Sequence, residues 1–248
     1  MTKKFILTVL LSALMGGISA QISLRPYVGL AVSKFGFASS GYDNYYENAG
    51  WSEFSDPMTK EEYQRLFSSR IGMQLGLGVD IYLTDALSFE PGLRYIQKGA
   101  GFFYDETHSD IDFGTFRTVT EMEQTFHYVE IPLNLNYQIE LGDWKWQLTG
   151  GPTLGYMADF RMQYSQKWTW MGQTQEAKID TKSDSELKSD LREDDLMPFD
   201  IGVNVGTRME YENFSVYLQY NRSFNEVWID APERNQALTF GVGYKIEL

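Results

Sequence analysis

The feature that most restricts this chain is an alternation of apolar and polar side chains at every second position, held over unusually long stretches. From Arg70 to Thr84, the residues Ile71, Met73, Leu75, Leu77, Val79, Ile81 and Leu83 fall on one side. Gly72, Gln74, Gly76, Gly78, Asp80 and Tyr82 fall on the other. A period of two is the signature of a β-strand greasy on one face only. The pattern returns in Leu87 to Lys98, Val129 to Leu141, Phe199 to Tyr211, Phe214 to Tyr220 and Phe240 to Leu248, and more weakly in Leu24 to Val32 and Trp144 to Phe160. Eight strands are therefore predicted. Several are about twice the 5 to 6 residues usual in soluble sheets, and match the roughly 9 to 11 needed by a tilted membrane-crossing strand. The polar faces mix Gly, Asn, Gln and opposite charges, which suits a narrow lumen, whereas a soluble lipocalin-like barrel or sandwich would turn its apolar face inward.

The connections sort in the same way. Tight turns are predicted at Asp85-Ala86, Gly142-Asp143 and Glu212-Asn213. Long connections are predicted over 38–67, 103–125, 162–197 and 225–235. Short and long alternate strictly, as in an all-β, eight-stranded antiparallel up-and-down transmembrane β-barrel of the outer membrane, with both termini periplasmic and the long connections external. The long connections hold 23 acidic against 9 basic residues, a net −14 that is nearly the whole of the −15 carried by residues 21–248. An acidic chain of this kind does not select nucleic acid, which needs clustered Lys and Arg.

The N-terminus reads as a leader. Lys3 and Lys4 precede an apolar run from Phe5 to Met15, and Ile18-Ser19-Ala20 supplies small residues, so residues 1–20 are expected to be a signal peptide cut between Ala20 and Gln21. Residues 21–248 then form the barrel domain. No other stretch is long and apolar enough for a spanning helix. The chain has no cysteine, which removes disulfides, thiolate metal sites and cysteine nucleophiles.

The polar faces carry charges that need partners, because an unpaired buried charge costs several kcal/mol. Height matching predicts ion pairs between Lys98 and Glu130 and between Arg25 and Glu247. It also pairs Glu140 with Lys145 beside a tight turn and draws Arg94 towards Asp80 or Glu90. Eight strands leave an interior filled by side chains, so this lumen network is read as structural rather than as a gated pore. Thr59 with Glu62, and Ser183 with Glu186, have capping-box spacing and predict short helices in the first and third long connections. Glu193, Asp194 and Asp195 form an acidic cluster without EF-hand spacing, and are read as solvated.

Phe89 to Gly99 (FEPGLRYIQKG) and Tyr128 to Leu133 (YVEIPL), with Gly150-Gly151-Pro152, Leu154-Gly155-Tyr156 and Phe240 to Lys245 (FGVGYK), resemble the PorT-like outer-membrane β-barrel family of the Bacteroidota. The resemblance implies an eight-stranded outer-membrane barrel whose last strand is the signal for the barrel-assembly machinery. The chain departs from that pattern in ending at Leu248, where an aromatic is frequent, and in its long acidic third connection.

Catalysis has little to stand on. His108 lies in a long connection. His127 has the lipid-facing parity of Val129 near the outer rim, where lipid-modifying barrels hold Ser, His and a carboxylate, but no serine stands two residues away. Phe102, Phe103, Tyr104, Phe126, Trp168 and Trp170 at one rim, with Trp144 and Phe214 at the other, read as interfacial girdles, with a sugar-binding surface as the alternative. The expected protein is a non-enzymatic outer-membrane barrel with a structural or binding role through its external connections, contacting outer-membrane lipid and an extracellular or envelope protein partner. No cofactor or metal is expected. A lipid-modifying enzyme and a narrow solute channel are the alternatives.

Overall fold

The computed structural model describes residues 21–37, 59–110, 114–229 and 233–248. The leader and its cleavage point before Gln21 lie outside them. Strands β1 (Ile22–Phe37), β2 (Phe67–Tyr82), β3 (Leu87–Asp110), β4 (Gly114–Leu141), β5 (Trp144–Trp170), β7 (Phe199–Tyr211), β8 (Phe214–Ser223) and β9 (Glu233–Tyr244) each pair antiparallel with the next. β9 pairs back onto β1 from Tyr27↔Gly243 to Phe37↔Glu233, which closes a ring of eight. Closure leaves no strand edge in the ring, a condition for crossing a bilayer with strands. One further piece lies off it, β6 (Gln173–Asp180), which folds back on β5, while β10 (Ile246–Glu247) carries the β9 register on along β1 beyond a break at Lys245.

The burial is inverted relative to a soluble protein. Val28, Ile71, Leu75, Leu93, Val205 and Phe240 point outward and exposed, while Arg25, Asp80, Arg94, Glu130 and Glu210 are buried inside. The outward apolar rows form a continuous belt, and such a surface calls for hydrocarbon rather than water. Where the lumen is narrowest the packing uses missing side chains. The Tyr27 ring lies over Gly76, and the Tyr217 hydroxyl over Gly29 and Gly241, each within 2.5 Å of where a Cβ would stand.

At one rim the turns are short. Gly142-Asp143 and Glu212-Asn213 link their strands directly, with Gly142 and Glu212 at φ 66° and 52°. The β2–β3 turn takes four residues, 83–86, where two were expected. Thr84 Oγ1 accepts from the amides of Ala86 and Leu87 there, at 3.3 and 3.0 Å. Outside this rim Trp144 packs at a tilt on Tyr211 and Phe214 edge-to-face on Tyr244, with centroids 4.9 and 5.0 Å apart.

The other rim departs most from expectation. The connection read as 103–125 is almost wholly strand, because β3 and β4 run on as a hairpin paired out to Asp110↔Gly114. Much of 162–197 is likewise strand, since β5 continues to Trp170 and β6 returns beside it. β4 has 28 residues, some 90 Å of chain at about 3.3 Å per residue. The upper parts of β3, β4, β5 and β6 thus form a four-stranded blade standing beyond the apolar belt.

Helices α1 (Lys60–Arg65) and α2 (Ser185–Asp190) occupy the two predicted places. α1 has the expected box: Thr59 Oγ1 accepts from the Glu62 amide at 3.3 Å and Glu62 Oε2 from the Thr59 amide at 2.8 Å. At α2 the cap is Asp184, which accepts from the Leu187 amide at 3.0 Å. Ser183 instead donates to the Asp180 carbonyl at 2.9 Å, so the cap moves by one residue and the expected box with Glu186 does not form.

Candidate functional site

Five buried cations, Arg25, Arg94, Lys98, Arg208 and Lys245, share the lumen with five buried acids, Asp80, Glu90, Glu130, Asp200 and Glu210. Arg94 stands opposite Glu130 in the β3–β4 register and pairs with it, also donating to Asn221 at 2.9 Å. Lys98, four residues further along β3, places Nζ 2.6 Å from Glu130 and 2.8 Å from Asp200. The structure therefore brings Lys98 and Glu130 together and gives Arg94 the same acid, not Asp80 or Glu90. Glu90 takes both Arg208 nitrogens, at 2.7 and 3.0 Å, and an Asn136 amide at 2.8 Å.

Arg25 does not reach Glu247. It binds Asp80 at 2.8 Å on the neighbouring strand and Glu210 at 2.7 Å across the lumen, while Glu247 pairs with Lys245 at 3.1 Å. The reason is register: Glu247 stands opposite Ser23, two residues nearer the short-turn mouth than Arg25. Glu140 and Lys145 are cross-strand neighbours there without a direct ion pair. With Glu247 they line an open vestibule of about 520 Å³. Asp200, Arg208, Glu210 and Lys245 complete the network and were not assigned to it from sequence. The alternation of Phe199 to Tyr211 already turned the first three inward, but the stagger of a barrel hides which groups meet across it.

Little space remains inside. A gap of about 10 Å³ between Tyr27, Glu90, Arg94, Asn134, Arg208 and Tyr217 has room for about one water. Above it lies an apolar stopper. Phe35, Ile96, Phe126, Tyr128, Met157 and Phe160 pack with Leu196 and Val227, which the third and fourth connections fold into the mouth. Trp228 Nε1 donates to Gln124 Oε1 at 3.1 Å, and the Tyr63 hydroxyl of α1 to Glu233 at 3.0 Å, fastening that cover.

The stopper corrects the outer girdle. Phe102 and Phe126, read as interfacial, are buried in the mouth. Tyr104, Trp168 and Trp170 stand on the blade, and Phe103 alone of the six keeps an exposed outward position on the β3 face. The outward aromatics near this height include Tyr156 and Phe199, 5.6 Å apart, and Phe224.

His127 faces outward as its parity requires. Its Nδ1 lies 2.5 Å from the Tyr95 hydroxyl, and it stands opposite Asp159, which Lys188 holds at 2.6 Å. A phenol in the nucleophile's place does not make a Ser-His-Asp relay. The backbone of Glu193, Asp194 and Asp195 forms a π-helical turn over Leu191–Asp195, and the side chains of Glu193 and Asp194 lie outside what is described. Among the described residues, no group of three or more His, Asp or Glu is placed to hold a metal ion.

The blade has two unlike faces. One carries ion pairs: Arg117–Asp105 at 2.6 Å, Lys178–Glu176 at 2.9 Å and Arg161–Asp180 at 2.6 Å. The other continues the lumen side and carries Tyr104, Phe116, Tyr164, Trp168 and Trp170 among Thr and Gln residues, with His108 and one acid, Glu106. A bulge sets this up. His127 pairs with Asp159 and Tyr128 with Met157, so Ala158 is an extra residue that brings Phe160 and the even-numbered positions above it inward.

A family described as "Outer membrane protein beta-barrel domain" matches residues 20–228. The chain belongs to that family. This places it in the outer membrane, with the apolar belt of the ring against lipid. Among solved structures it is similar to Ail, the attachment invasion locus protein of Yersinia pestis, at 9% identity and a TM-score of 0.38, covering 91% of this chain and 99% of that one. It is also similar to Neisserial surface protein A, at 11% identity and a TM-score of 0.40, covering 90% and 97%. The outer membrane protease OmpT from Escherichia coli matches at 11% identity and a TM-score of 0.33, covering 93% and 99%. No curated protein matches.

Proposed function

We propose that this family member is a non-enzymatic binding protein that uses a sealed barrel as a base and its blade as the contact surface for a partner on or outside the cell. The observation that carries this reading is the contrast between the two ends. The lumen is filled by ion pairs and stoppered by apolar side chains, whereas β3, β4, β5 and β6 rise beyond the belt as ordered sheet. A barrel that only anchored itself would need loops at that rim, not paired strands. The short turns and both termini then face the periplasm and the blade faces outward. Insertion runs through the barrel-assembly machinery, with the last strand as its signal. Within the family we place the chain among the PorT-like barrels of the Bacteroidota, on the motifs around Phe89 to Gly99 and Tyr128 to Leu133.

The test compares two proteoliposomes, one with the full chain and one in which 105–119 and 165–178 are each replaced by a two-residue turn. Removing all of 162–197 would also take Leu196 from the stopper, so the shorter cuts are preferred. Retention on immobilised outer-membrane material from a strain lacking this chain is expected for the full chain and lost for the shortened one, with both showing the gel shift of a folded barrel on heating. Equal retention overturns the reading.

A further inference from the structure

At the tip of the blade, on its inner face, a cleft of about 600 Å³ is lined by His108, Phe116, Trp168, Trp170, Gln173 and Gln175. Register explains why these residues meet. His108 stands opposite Phe116, Phe116 opposite Trp170, and Trp170 opposite Gln173, which makes one row across four strands. Trp168 stands opposite Gln175 in the next row on the same face. Along β5 the two indoles are therefore about 7 Å apart, two residues on.

The tip is held firmly. β5 turns into β6 through Met171-Gly172 alone, with φ 48° and 78°, the backbone of a tight hairpin turn.

We infer that this cleft binds a neutral saccharide, an inference that rests on the binding role proposed above. Its lining names the chemistry. Two indoles and a phenyl ring offer flat apolar faces to the C–H faces of pyranose rings. The Gln173 and Gln175 carboxamides each donate and accept, as sugar hydroxyls do. No Lys, Arg, Asp or Glu lines the cleft, although the chain is strongly acidic and the opposite face of the same strands carries the blade's ion pairs. An anionic ligand would find no counter-charge there, and the acid of the adjoining row, Glu106, already accepts from the Tyr104 hydroxyl at 2.6 Å. The volume falls within the roughly 300 to 1,000 Å³ of ordinary ligand sites. Phe116 and Trp170 remain 40% and 50% exposed, so ring surface is open to a ligand. A protein strand added to the free edge of β6 is less favoured, because Glu176 and Lys178 stand on that edge strand and charges there discourage pairing.

The experiment titrates the full chain, folded in amine-oxide micelles that carry no sugar headgroup, with maltohexaose, cellohexaose, mannohexaose and chitohexaose, and with a heparin hexasaccharide as the charged probe, by isothermal calorimetry. Saturable binding of at least one neutral hexasaccharide is expected, weakened about tenfold or more in W170A and in W168A, with the heat-modifiable gel shift intact. No binding by any of the four, equal affinity in both variants, or preference for the heparin probe would overturn the inference. If the shortened blade loses retention while W168A and W170A keep it, the saccharide site falls and the binding role stands. If β6 carrying Thr174→Pro loses retention while the tryptophan variants keep it, the surface used is the strand edge.

Discussion

Glu130 shows why single residues in this lumen cannot be judged in pairs. Its carboxylate serves Arg94 and Lys98 together, and Lys98 leans on Asp200 as well. Glu130→Ala leaves two buried cations to one acid, and breaking such a group costs about 3–5 kcal/mol. Urea unfolding of the barrel in lipid vesicles is expected to show that loss, whereas Glu140→Ala, at the open vestibule, leaves the midpoint unchanged. The parity of each residue could be read from sequence, and so could the need for counter-charges. Arg25 shows what could not. It was matched in height to Glu247 one strand away, but its guanidinium spans Asp80 and Glu210, whose distance in sequence carries no trace of their meeting.

Elements repeat the lesson at larger size. The ring strands were readable because lipid demands apolar residues at every second place, and the turn residues Gly142-Asp143 and Glu212-Asn213 marked their ends. Above the belt neither face meets lipid, so the alternation of Tyr104, Glu106 and His108 with Phe103, Asp105 and Thr107 carries no hydropathy signal, and paired strands were taken for loops. What ties the blade's return strand to its neighbour is the foot of the β5–β6 hairpin. Two nitrogens of Arg161 donate to Asp180, at 3.1 and 2.6 Å, and the Lys182 amide donates at 3.0 Å. These bonds hold the Asp180 carboxyl down to about 2. The unfolded value is about 4. A lowered acid stabilises the folded form above its unfolded value and stops doing so as pH falls through its folded one. Amide protection at Thr181, which donates to the Met162 carbonyl at 3.1 Å, is therefore expected to hold above about pH 4 and fall away towards pH 2. Asp180→Asn should lower it throughout and flatten the dependence.

For the whole molecule, the decisive property is that its lumen is filled. An eight-stranded ring has width for side chains alone, and here salt bridges fill the middle while Phe126, Phe160, Leu196 and Val227 cover one mouth. Planar bilayers containing the purified chain are expected to stay silent, and well-resolved unitary conductance would contradict a sealed lumen. The apolar stopper is hidden in sequence because Phe160 shares the outward parity of Leu154 and Tyr156 until the bulge at Ala158 turns it inward, and because Phe126, though it has the inward parity of Glu130, reads as an interfacial aromatic. Below Glu233, which Tyr63 holds at the mouth, the lumen network balances five cations against five acids, and that carries one more consequence. A voltage across the bilayer pulls on net charge, at about 2.3 kcal/mol per elementary charge for 100 mV. An interior whose charges cancel gives that field no handle, so energising or depolarising the envelope leaves the barrel's shape alone and whatever the blade holds stays held.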